Sequence, residues 1–250
     1  DRLSLGSYHL SIRNPKELAN IIESWEGFLE RFKNDSAVTS DVNHKAVLDR
    51  KSVQNLGRRV KDMATYISKE LTPGFKDEYA TIVHGDYKAM NVFLPVLPEN
   101  NNDDEHEMNA IMIDFASTGV GLGMSDVAMH IIHAVNPSDQ KRDDGEGMLI
   151  DAYLQQLHQS RCQIMQDSSE NDVKVLKEYT KEVAMRHYKL ATVDYFRFVL
   201  GRFWKTASPD SFQHKKFSQN TTLVNRNLDA AIALIDKVDL YLEELVMERR

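Results

Sequence analysis

The chain has 250 residues, of which 42% are hydrophobic and 28% are charged, a composition typical of a globular protein. Its formal net charge of −7 argues against general nucleic-acid binding, which requires a basic surface. The single cysteine, Cys162, excludes an internal disulfide framework and a cysteine-rich zinc site. It favours a reducing compartment, so we predict a cytoplasmic location. No apolar run approaches the roughly 20 residues that a membrane span needs, so we expect no membrane partner.

The first part of the chain has the periodicity of helices. Apolar residues recur at three- and four-residue spacing from Leu18 to Phe32 and again from Val53 to Leu71, which predicts two amphipathic helices. Asn14 and Pro15 are typical of a helix start. The Pro73-Gly74 pair ends the second helix.

The middle of the chain changes to short apolar, β-branched runs bounded by turn residues. Tyr79–Val83, Asn91–Leu97 and Asn109–Ala116 are predicted to form three strands. The acidic stretch Pro98–Glu107 lies between the last two, and we predict that it forms a solvated hairpin loop.

Helical patterns return after Gly123, and the stretches between them are predicted to be loops. The predicted helices are Ser125 to about Val135, Met148 to about His158, Val173 to about Trp204, and Asn227 to the C-terminus. The predicted loops are Lys141–Gly147 and Ala207–Thr222. The fold class is therefore α+β and mostly α, a helical body with a small β insertion.

The run HGDYKAMN, which begins at His84, places several polar groups directly after the first predicted strand. Asp86 and Asn91 lie where the chain leaves one strand and enters the next, so their side chains can face a common cleft. Asp114, near the end of the third strand, offers another oxygen ligand. Asn91 and Asp114 suit Mg²⁺, which prefers hard oxygen ligands and keeps room for phosphate oxygens and water. Asp86 is then free to accept a proton, and Lys88 can stabilise a transferring phosphoryl group.

The simplest alternative is a turn in which Asp86 and Asn91 satisfy their own hydrogen bonds. Asp114 argues against this alternative because it lies between Ile113 and Phe115. A carboxylate among apolar neighbours is costly unless a cation or several donors pair with it.

The succession of H-G-D-x-x-x-x-N, a strand, a hairpin and I-D-F resembles the aminoglycoside phosphotransferase and choline kinase-like family, within the protein kinase-like superfamily. The resemblance extends from about Thr81 to Leu157. It implies that Asp86 positions and deprotonates the substrate hydroxyl. It also implies that Asn91 and Asp114 bind Mg²⁺, with ATP as the co-substrate.

The same resemblance implies supporting roles for four further residues. D-Y-K-A-M-N is similar to the D-x-K-x-x-N of protein kinases, which implies a phosphate contact for Lys88. His84 and Gly85 would shape the loop through backbone hydrogen bonds and close packing. Asp126, in GMSDVAMHI, would brace the loop from the start of a helix, a position that suits a carboxylate.

In this family such motifs belong to the C-terminal lobe of a kinase-like fold. A small lobe with a glycine loop, a strand lysine and a paired glutamate precedes it, and the sequence before His84 lacks that pattern. Because the chain also begins with Asp1 rather than Met, we expect a C-terminal lobe of a longer protein or a natural truncation, without its N-lobe. Such a chain alone would bind ATP weakly and turn over little. Its expected parts are a helical region at 1–78, catalytic strands and loops at 79–124, and a helical region at 125–250, all within one lobe, 1–250.

The predicted function is therefore ATP- and Mg²⁺-dependent phosphoryl transfer to the hydroxyl of a small molecule. A protein acceptor is disfavoured because Gly85 replaces the arginine of H-R-D, and because the short connection from Asp114 to Asp126 leaves no room for an activation segment. The acidic net charge weakly favours a cationic acceptor. The alternative function is a non-catalytic kinase-like binding or scaffold module that lacks the nucleotide-clamping lobe.

A dinucleotide site is a rival interpretation of STGVGLG. Its glycines, Gly119, Gly121 and Gly123, form G-x-G-x-G, whereas the dinucleotide fingerprint needs its third glycine three residues after the second. Met124 occupies that position. We therefore predict that this stretch is a flexible connection.

Two further catalytic classes receive less support. Asp126, His130 and His133 lie on one predicted helical face and could bind zinc, but no fourth ligand is evident. A serine hydrolase would need a G-x-S-x-G elbow, which the chain lacks. The long helix EVAMRHYKLATVDYFRFVLGRFWK is expected to pack at the edge of the core, or to contribute to the substrate pocket. It carries three arginines among its aromatic residues: Arg186, Arg197 and Arg202.

Overall fold

A computed structural model describes residues 4–74, 76–94, 110–141, 145–167 and 178–249 of the chain. The helices are α1 (Ile21–Phe32), α2 (Ser36–Thr39), α3 (Val42–Leu48), α4 (Lys51–Gln54), α5 (Leu56–Glu70), α6 (Met124–Ala134), α7 (Pro137–Lys141), α8 (Gly145–Asp167), α9 (Lys181–Arg202), α10 (Pro209–Lys215) and α11 (Leu228–Glu248). The strands are β1 (Ala80–Val83), β2 (Val92–Phe93), β3 (Ile111–Met112) and β4 (Gly119–Leu122). The predicted α+β, mostly α class is confirmed. In these ranges, none of the helices combines the length and apolarity needed to cross a membrane.

Helix α9 forms the centre of the helical body. Every residue from Leu190 to Leu200 is buried, and the helix packs against α1, α5, α6, α8 and α11. A helix enclosed on all sides belongs to the interior of a protein. Aromatic rings join it to α1: Phe196 of α9 lies 6.2 Å from Trp25, and Trp204, just after α9, stacks on Phe28 at 4.6 Å. The long helix predicted here is confirmed from residue 181, although 178–180 are not helical and 173–177 lie outside the described residues. The expectation that it packs at the edge of the core is wrong, because it lies at the centre.

The two amphipathic patterns of the first part of the chain are confirmed as α1 and α5. Helix α1 begins only at Ile21, because Pro15–Leu18 forms a separate 3-10 turn that no side chain caps. Val53, predicted in the second helix, belongs to the preceding α4. The three short helices α2 to α4 were not predicted. Two of them start at aspartates whose side chains accept backbone N–H bonds, Asp35 and Asp41.

The strands form two separate antiparallel pairs, β1 with β4 and β2 with β3. In the first pair Val83 lies opposite Gly119. The prediction of a flexible connection at STGVGLG is therefore wrong in part, because 119–122 form β4. Glycine is needed for close approach here: a Cβ on Gly119 would lie 2.3 Å from the carbonyl oxygen of Ser4. The predicted loop Pro98–Glu107 lies outside the described residues.

Several boundaries in the second half of the chain also differ from prediction. The stretch Ala207–Thr222, predicted as a loop, contains α10, which starts with a reciprocal capping box between Ser208 and Ser211. Helix α8 begins at Gly145, so the predicted loop Lys141–Gly147 extends too far. Its residues 142–144 lie outside the described ranges.

Candidate active site

The loop between β1 and β2 brings Asp86, Lys88 and Asn91 together. Lys88 Nζ lies 2.6 Å from Asp86 Oδ2. The side-chain amide of Asn91 donates to the main-chain carbonyl of Asp86 at 2.9 Å and approaches Oδ2 at 3.4 Å. Asp86 and Asn91 are buried, whereas Lys88 is partly exposed. The carboxylate is thus fixed by an ammonium and an amide while Oδ1 of Asn91 stays available as an oxygen ligand.

His84 connects this loop to the segment that carries Asp114. The backbone N–H of Asp86 donates to His84 Nδ1 at 3.3 Å, so in the neutral ring the proton is on Nε2. Nε2 then donates to the carbonyl oxygen of Ile113 at 2.9 Å. The Ile113 N–H in turn donates to the Asn91 carbonyl at 3.0 Å. These bonds hold Ile113, and with it the next residue Asp114, beside the loop.

Asp114 itself lies in an unusual backbone conformation and is exposed. Its φ of 65° and ψ of 59° are in the left-handed region, which is uncommon for residues other than glycine. The argument that apolar neighbours bury its carboxylate is wrong: Ile113 and Phe115 are 43% and 54% exposed. An exposed carboxylate and an amide oxygen whose nitrogen is held by Asp86 are donors of the kind that a magnesium–nucleotide site uses. The chemistry of these two residues therefore fits Mg²⁺.

Gly85 and Asp126 set the shape of the loop. Asp126, in the first turn of α6, accepts hydrogen bonds from the backbone N–H groups of His84 at 2.7 Å and Gly85 at 3.0 Å. Burial raises the pKa of Asp126, and the two backbone bonds act in the opposite direction. Gly85 has a φ of +80°, and a Cβ there would lie 2.1 Å from the carbonyl oxygen of Ser117. Only glycine fits this position.

The zinc alternative on α6 fails in this structure. Asp126 faces the loop, the ring of His130 stacks on Tyr87 at 4.9 Å, and His133 Nε2 lies 2.9 Å from the hydroxyl of Tyr195. Across the described ranges, no group of three or more His, Cys, Asp or Glu side chains could hold a metal ion.

A cavity of about 230 Å³ lies beside Lys88 and Met90 of the loop. Its wall combines aromatic rings with neutral hydrogen-bonding groups and two lysines, Lys88 and Lys215; among the described residues that line it there is no carboxylate. The residues that matter most below are Tyr8, His133, Tyr195, Phe198, Phe203 and Thr222. Two larger cavities near His44, of about 760 and 610 Å³, contain no residue of the loop, whereas one of about 390 Å³ is lined by His84, Tyr87 and Asp126.

Three side chains form a polar end of this cavity. His133 Nε2 lies 2.9 Å from the Tyr195 hydroxyl and 2.8 Å from Thr222 Oγ1. Burial, and then the nearby charges of Lys88 and His130, lower the pKa of His133 to about 3. The imidazole is therefore neutral at physiological pH, and this end of the cavity presents uncharged groups.

A buried ion-pair network lies behind the cavity. Arg197, 0% exposed, contacts Asp194 at 3.1 Å and donates to the carbonyl oxygen of His9. His9 Nδ1 is 3.1 Å from Asp194 Oδ2. Of the three arginines noted in the long helix, Arg197 is thus structural. Arg186 pairs with glutamates on α5 and α11, and Arg202 lies near Glu17 and over the rings of Phe198 and Phe203.

Sequence reasoning missed the cavity residues outside the loop. The aromatic residues of α9 gave a partial signal, because that helix was expected either to pack at the edge of the core or to contribute to the pocket. Tyr8 and Thr222 gave none, since each lies in an irregular segment without periodicity.

Comparison with family models places the chain in the class of kinase-like proteins related to choline kinase and aminoglycoside phosphotransferases. A model of the ecdysteroid kinase-like family matches residues 7–166, more than half of the chain. The chain belongs to the ecdysteroid kinase-like family. The predicted superfamily is confirmed, and the family is this one rather than the aminoglycoside phosphotransferase or choline kinase family itself. No curated protein and no solved structure matches the chain.

Proposed function

We propose that this protein transfers the γ-phosphoryl group of ATP, with Mg²⁺, to the hydroxyl of an uncharged, ring-bearing small molecule. The observation behind this proposal is the fixed Asp86–Lys88–Asn91 loop, whose Lys88 lines a partly open, aromatic cavity. The family supports a kinase-like phosphotransferase of small molecules. The proposed fold is that of a kinase-like C-terminal lobe.

Asp86 is proposed as the base. The acceptor hydroxyl gives its proton to Asp86 as its oxygen forms a bond to the γ-phosphorus, and the bond from phosphorus to the ADP oxygen breaks. Lys88 Nζ, already 2.6 Å from Asp86 Oδ2, lies at the cavity wall and can stabilise the charge on the transferring group. Transfer thus takes place where the loop meets the cavity.

Asn91 and Asp114 are proposed as the magnesium ligands. Asn91 would bind through Oδ1, because its amide nitrogen donates to the Asp86 carbonyl. Asp114 would bind through its exposed carboxylate. When bound, the metal supplies neutralisation of the phosphate charge. His84, Gly85 and Asp126 keep the loop and Asp114 in register through the bonds described above.

The strands offer an apolar surface for the base of ATP. Side chains on β2, on β3 and directly after them are exposed, although they are large and hydrophobic: Phe93, Leu94, Ile111 and Ile113. Adenine packs against surfaces of this kind, since ligand sites are predominantly apolar with a few polar groups.

The cavity favours a neutral acceptor over the cationic one suggested by net charge. Lys88 and Lys215 line it, whereas the described lining contains no carboxylate to pair with a cation. Aromatic rings suit an alicyclic or aromatic skeleton, and the His133 end suits its further oxygens. The family name points to the same chemistry, a hydroxylated steroid.

We also propose a reducing, cytoplasmic setting, which the single cysteine of the chain supports.

The test is a phosphate-transfer assay on the full-length protein with MgATP and three probes: ecdysone, choline and kanamycin. We expect product with ecdysone, and a kcat about 10³-fold lower for Asp86→Asn, because the base is lost. Asp62→Asn on α5 is the matched control, since it makes the same change at an exposed position.

No transfer to any probe would overturn the proposed function, and the scaffold alternative would then stand. Preferential transfer to choline or kanamycin would overturn the neutral-acceptor part alone. An unchanged kcat in Asp86→Asn would remove Asp86 from its role.

A further inference from the structure

Tyr8 brings an isolated phenol to the wall of the cavity. It lies in the irregular stretch before α1, and it shares the cavity with Lys88, the residue that pairs with Asp86. The neighbouring backbone packs directly on the catalytic loop, because a Cβ on Gly85 would lie 2.7 Å from the backbone nitrogen of Ser7. Tyr8 therefore reaches the site although it is far from the loop in sequence.

The position of Tyr8 is fixed by groups that do not take part in the proposed chemistry. Its ring packs edge-to-face against Phe198, with centroids 5.5 Å apart and planes at 89°. The next residue, His9, is 1% exposed, pairs with Asp194, and accepts a bond from Arg197 through its carbonyl. The phenol is thus held in one orientation before any ligand arrives, which is what a preorganised contact requires.

The hydroxyl of Tyr8 is a neutral donor without a protein partner in the part of the chain that the structure describes. Burial raises the pKa of Tyr8 to about 12, with Asp86 as the next contributor; Glu17 and Asp114 add to the rise and Arg202 opposes it. The proton therefore stays on the phenol at physiological pH. The negative charges of Asp86, the proposed base, and Asp114, a proposed metal ligand, thus both raise the pKa of the Tyr8 hydroxyl.

We propose that Tyr8 contacts the acceptor and donates a hydrogen bond to the oxygen of its reacting hydroxyl. This inference rests on the proposed function. The acceptor hydroxyl then has its proton directed at Asp86 and one lone pair bound by Tyr8, which leaves the other lone pair for the γ-phosphorus. Tyr8 keeps its own proton throughout; the acceptor proton goes to Asp86 and the leaving electron pair goes to ADP. Tyr8 fixes the orientation of the nucleophile.

The test compares Tyr8→Phe with Tyr66→Phe in the full-length protein. Tyr8→Phe keeps the ring against Phe198 and removes only the hydroxyl. Tyr66 is a partly buried tyrosine on α5 whose hydroxyl binds Arg186 at 3.1 Å, so its variant controls for the loss of a phenol elsewhere. The acceptor is whichever of ecdysone, choline and kanamycin gives the highest kcat/KM, and thermal melting checks the fold of each variant.

For Tyr8→Phe we expect kcat/KM for the acceptor to fall about tenfold, mostly through KM, with KM for MgATP unchanged. Tyr66→Phe should match the wild type in kcat/KM for the acceptor, in KM for the acceptor and in KM for MgATP. Acceptor binding without ATP, followed by saturation-transfer NMR, should weaken in Tyr8→Phe alone. An unchanged acceptor KM and unchanged binding would overturn the inference while leaving the proposed function intact. An equal rise in KM for MgATP would overturn it too, because it would indicate a nucleotide or structural role. If the wild type transfers phosphate to none of the probes, the proposed function fails and this inference falls with it.

Discussion

The buried ion pair of the helical body and the charged groups of the strand-and-loop region differ in their exposure. In the body, Asp194 and Arg197 have no exposed side-chain surface and pair only with protein groups. In the loop region, Asp86 and Lys88 pair at a cavity wall, and Asp114 is open to solvent. A buried ion pair such as Asp194–Arg197 keeps its partners, whereas solvent-accessible charged groups at a cavity wall can exchange a protein partner for a ligand.

The apolar side chains show the same contrast. Helix α9 is buried continuously over 190–200, whereas the strands expose Ile82 and Phe93 by 66% and 52%. We infer that the body supplies the rigidity of the cavity and that the loop region supplies its chemistry. Mutations in the two regions should therefore differ in whether they lower stability or activity.

The largest expected effect on stability is in the body, from Asp194→Asn. This change leaves Arg197 buried without its counter-charge, which costs about 3–5 kcal/mol of unfolding free energy. Urea unfolding followed by circular dichroism measures it. Asp151→Asn is the control, because Asp151 pairs with Lys181 at the surface and such pairs contribute about 1 kcal/mol or less. Equal losses of unfolding free energy in the two variants would contradict the difference between buried and exposed ion pairs.

The next effect on stability comes from His133, which lies on α6 at the cavity, and it depends on pH. Burial first, and then Lys88 and His130, lower the pKa of His133 from 6.5 to about 3. The unfolded chain therefore binds a proton at His133 that the folded protein excludes, so stability falls as the pH drops from about 6.5 towards 3. The expected loss is about 3 kcal/mol between pH 7 and pH 4.

Unfolding free energies at several pH values, for wild type and His133→Gln, isolate this effect. Glutamine keeps a hydrogen-bonding group near the position of Nε2 but does not ionise in this range. Its variant should lose less stability in acid, although His130 and His187, whose pKa values burial also lowers, remain. If the unfolding free energies of the two proteins depended on pH in the same way, the lowered pKa of His133 would be contradicted.

The smallest stability effect is in the loop, from Gly85→Ala. A side chain at φ +80° and 2.1 Å from the Ser117 carbonyl forces the loop to move, at a cost of about 1–3 kcal/mol. Because the loop carries Asp86, phosphate transfer should fall much more than stability does. Gly74→Ala is the matched control, since a Cβ there meets nothing within 4 Å. A melting temperature and a transfer rate that fall in proportion would show that loop and body unfold together.

The site was predictable to the extent that its residues are close in the chain. Asp86, Lys88 and Asn91 lie within one loop, so their spacing predicted that they lie close together. The ion pair between Asp86 and Lys88 was not predicted, and the hydrogen bond from Asn91 to Asp86 is what the turn alternative predicted. The expectation that the Asp114 carboxylate is buried was wrong, because exposure depends on what covers β3. Its role as a metal ligand stays a prediction. Strand β4 was missed because glycines close together in the sequence usually indicate flexibility. In the structure they allow close packing against β1 and residues 4–6.

The sequence by itself determined the amphipathic helices, the polar loop and the kinase-like class, because each depends on residues only a few positions apart. Only the tertiary structure decided the cavity beside Lys88 and Met90. Tyr8, His133, Tyr195 and Thr222 come from four separate segments, and no local period links them. They meet because the packing of helices around α9 brings their segments together, and such packing depends on contacts along the whole chain.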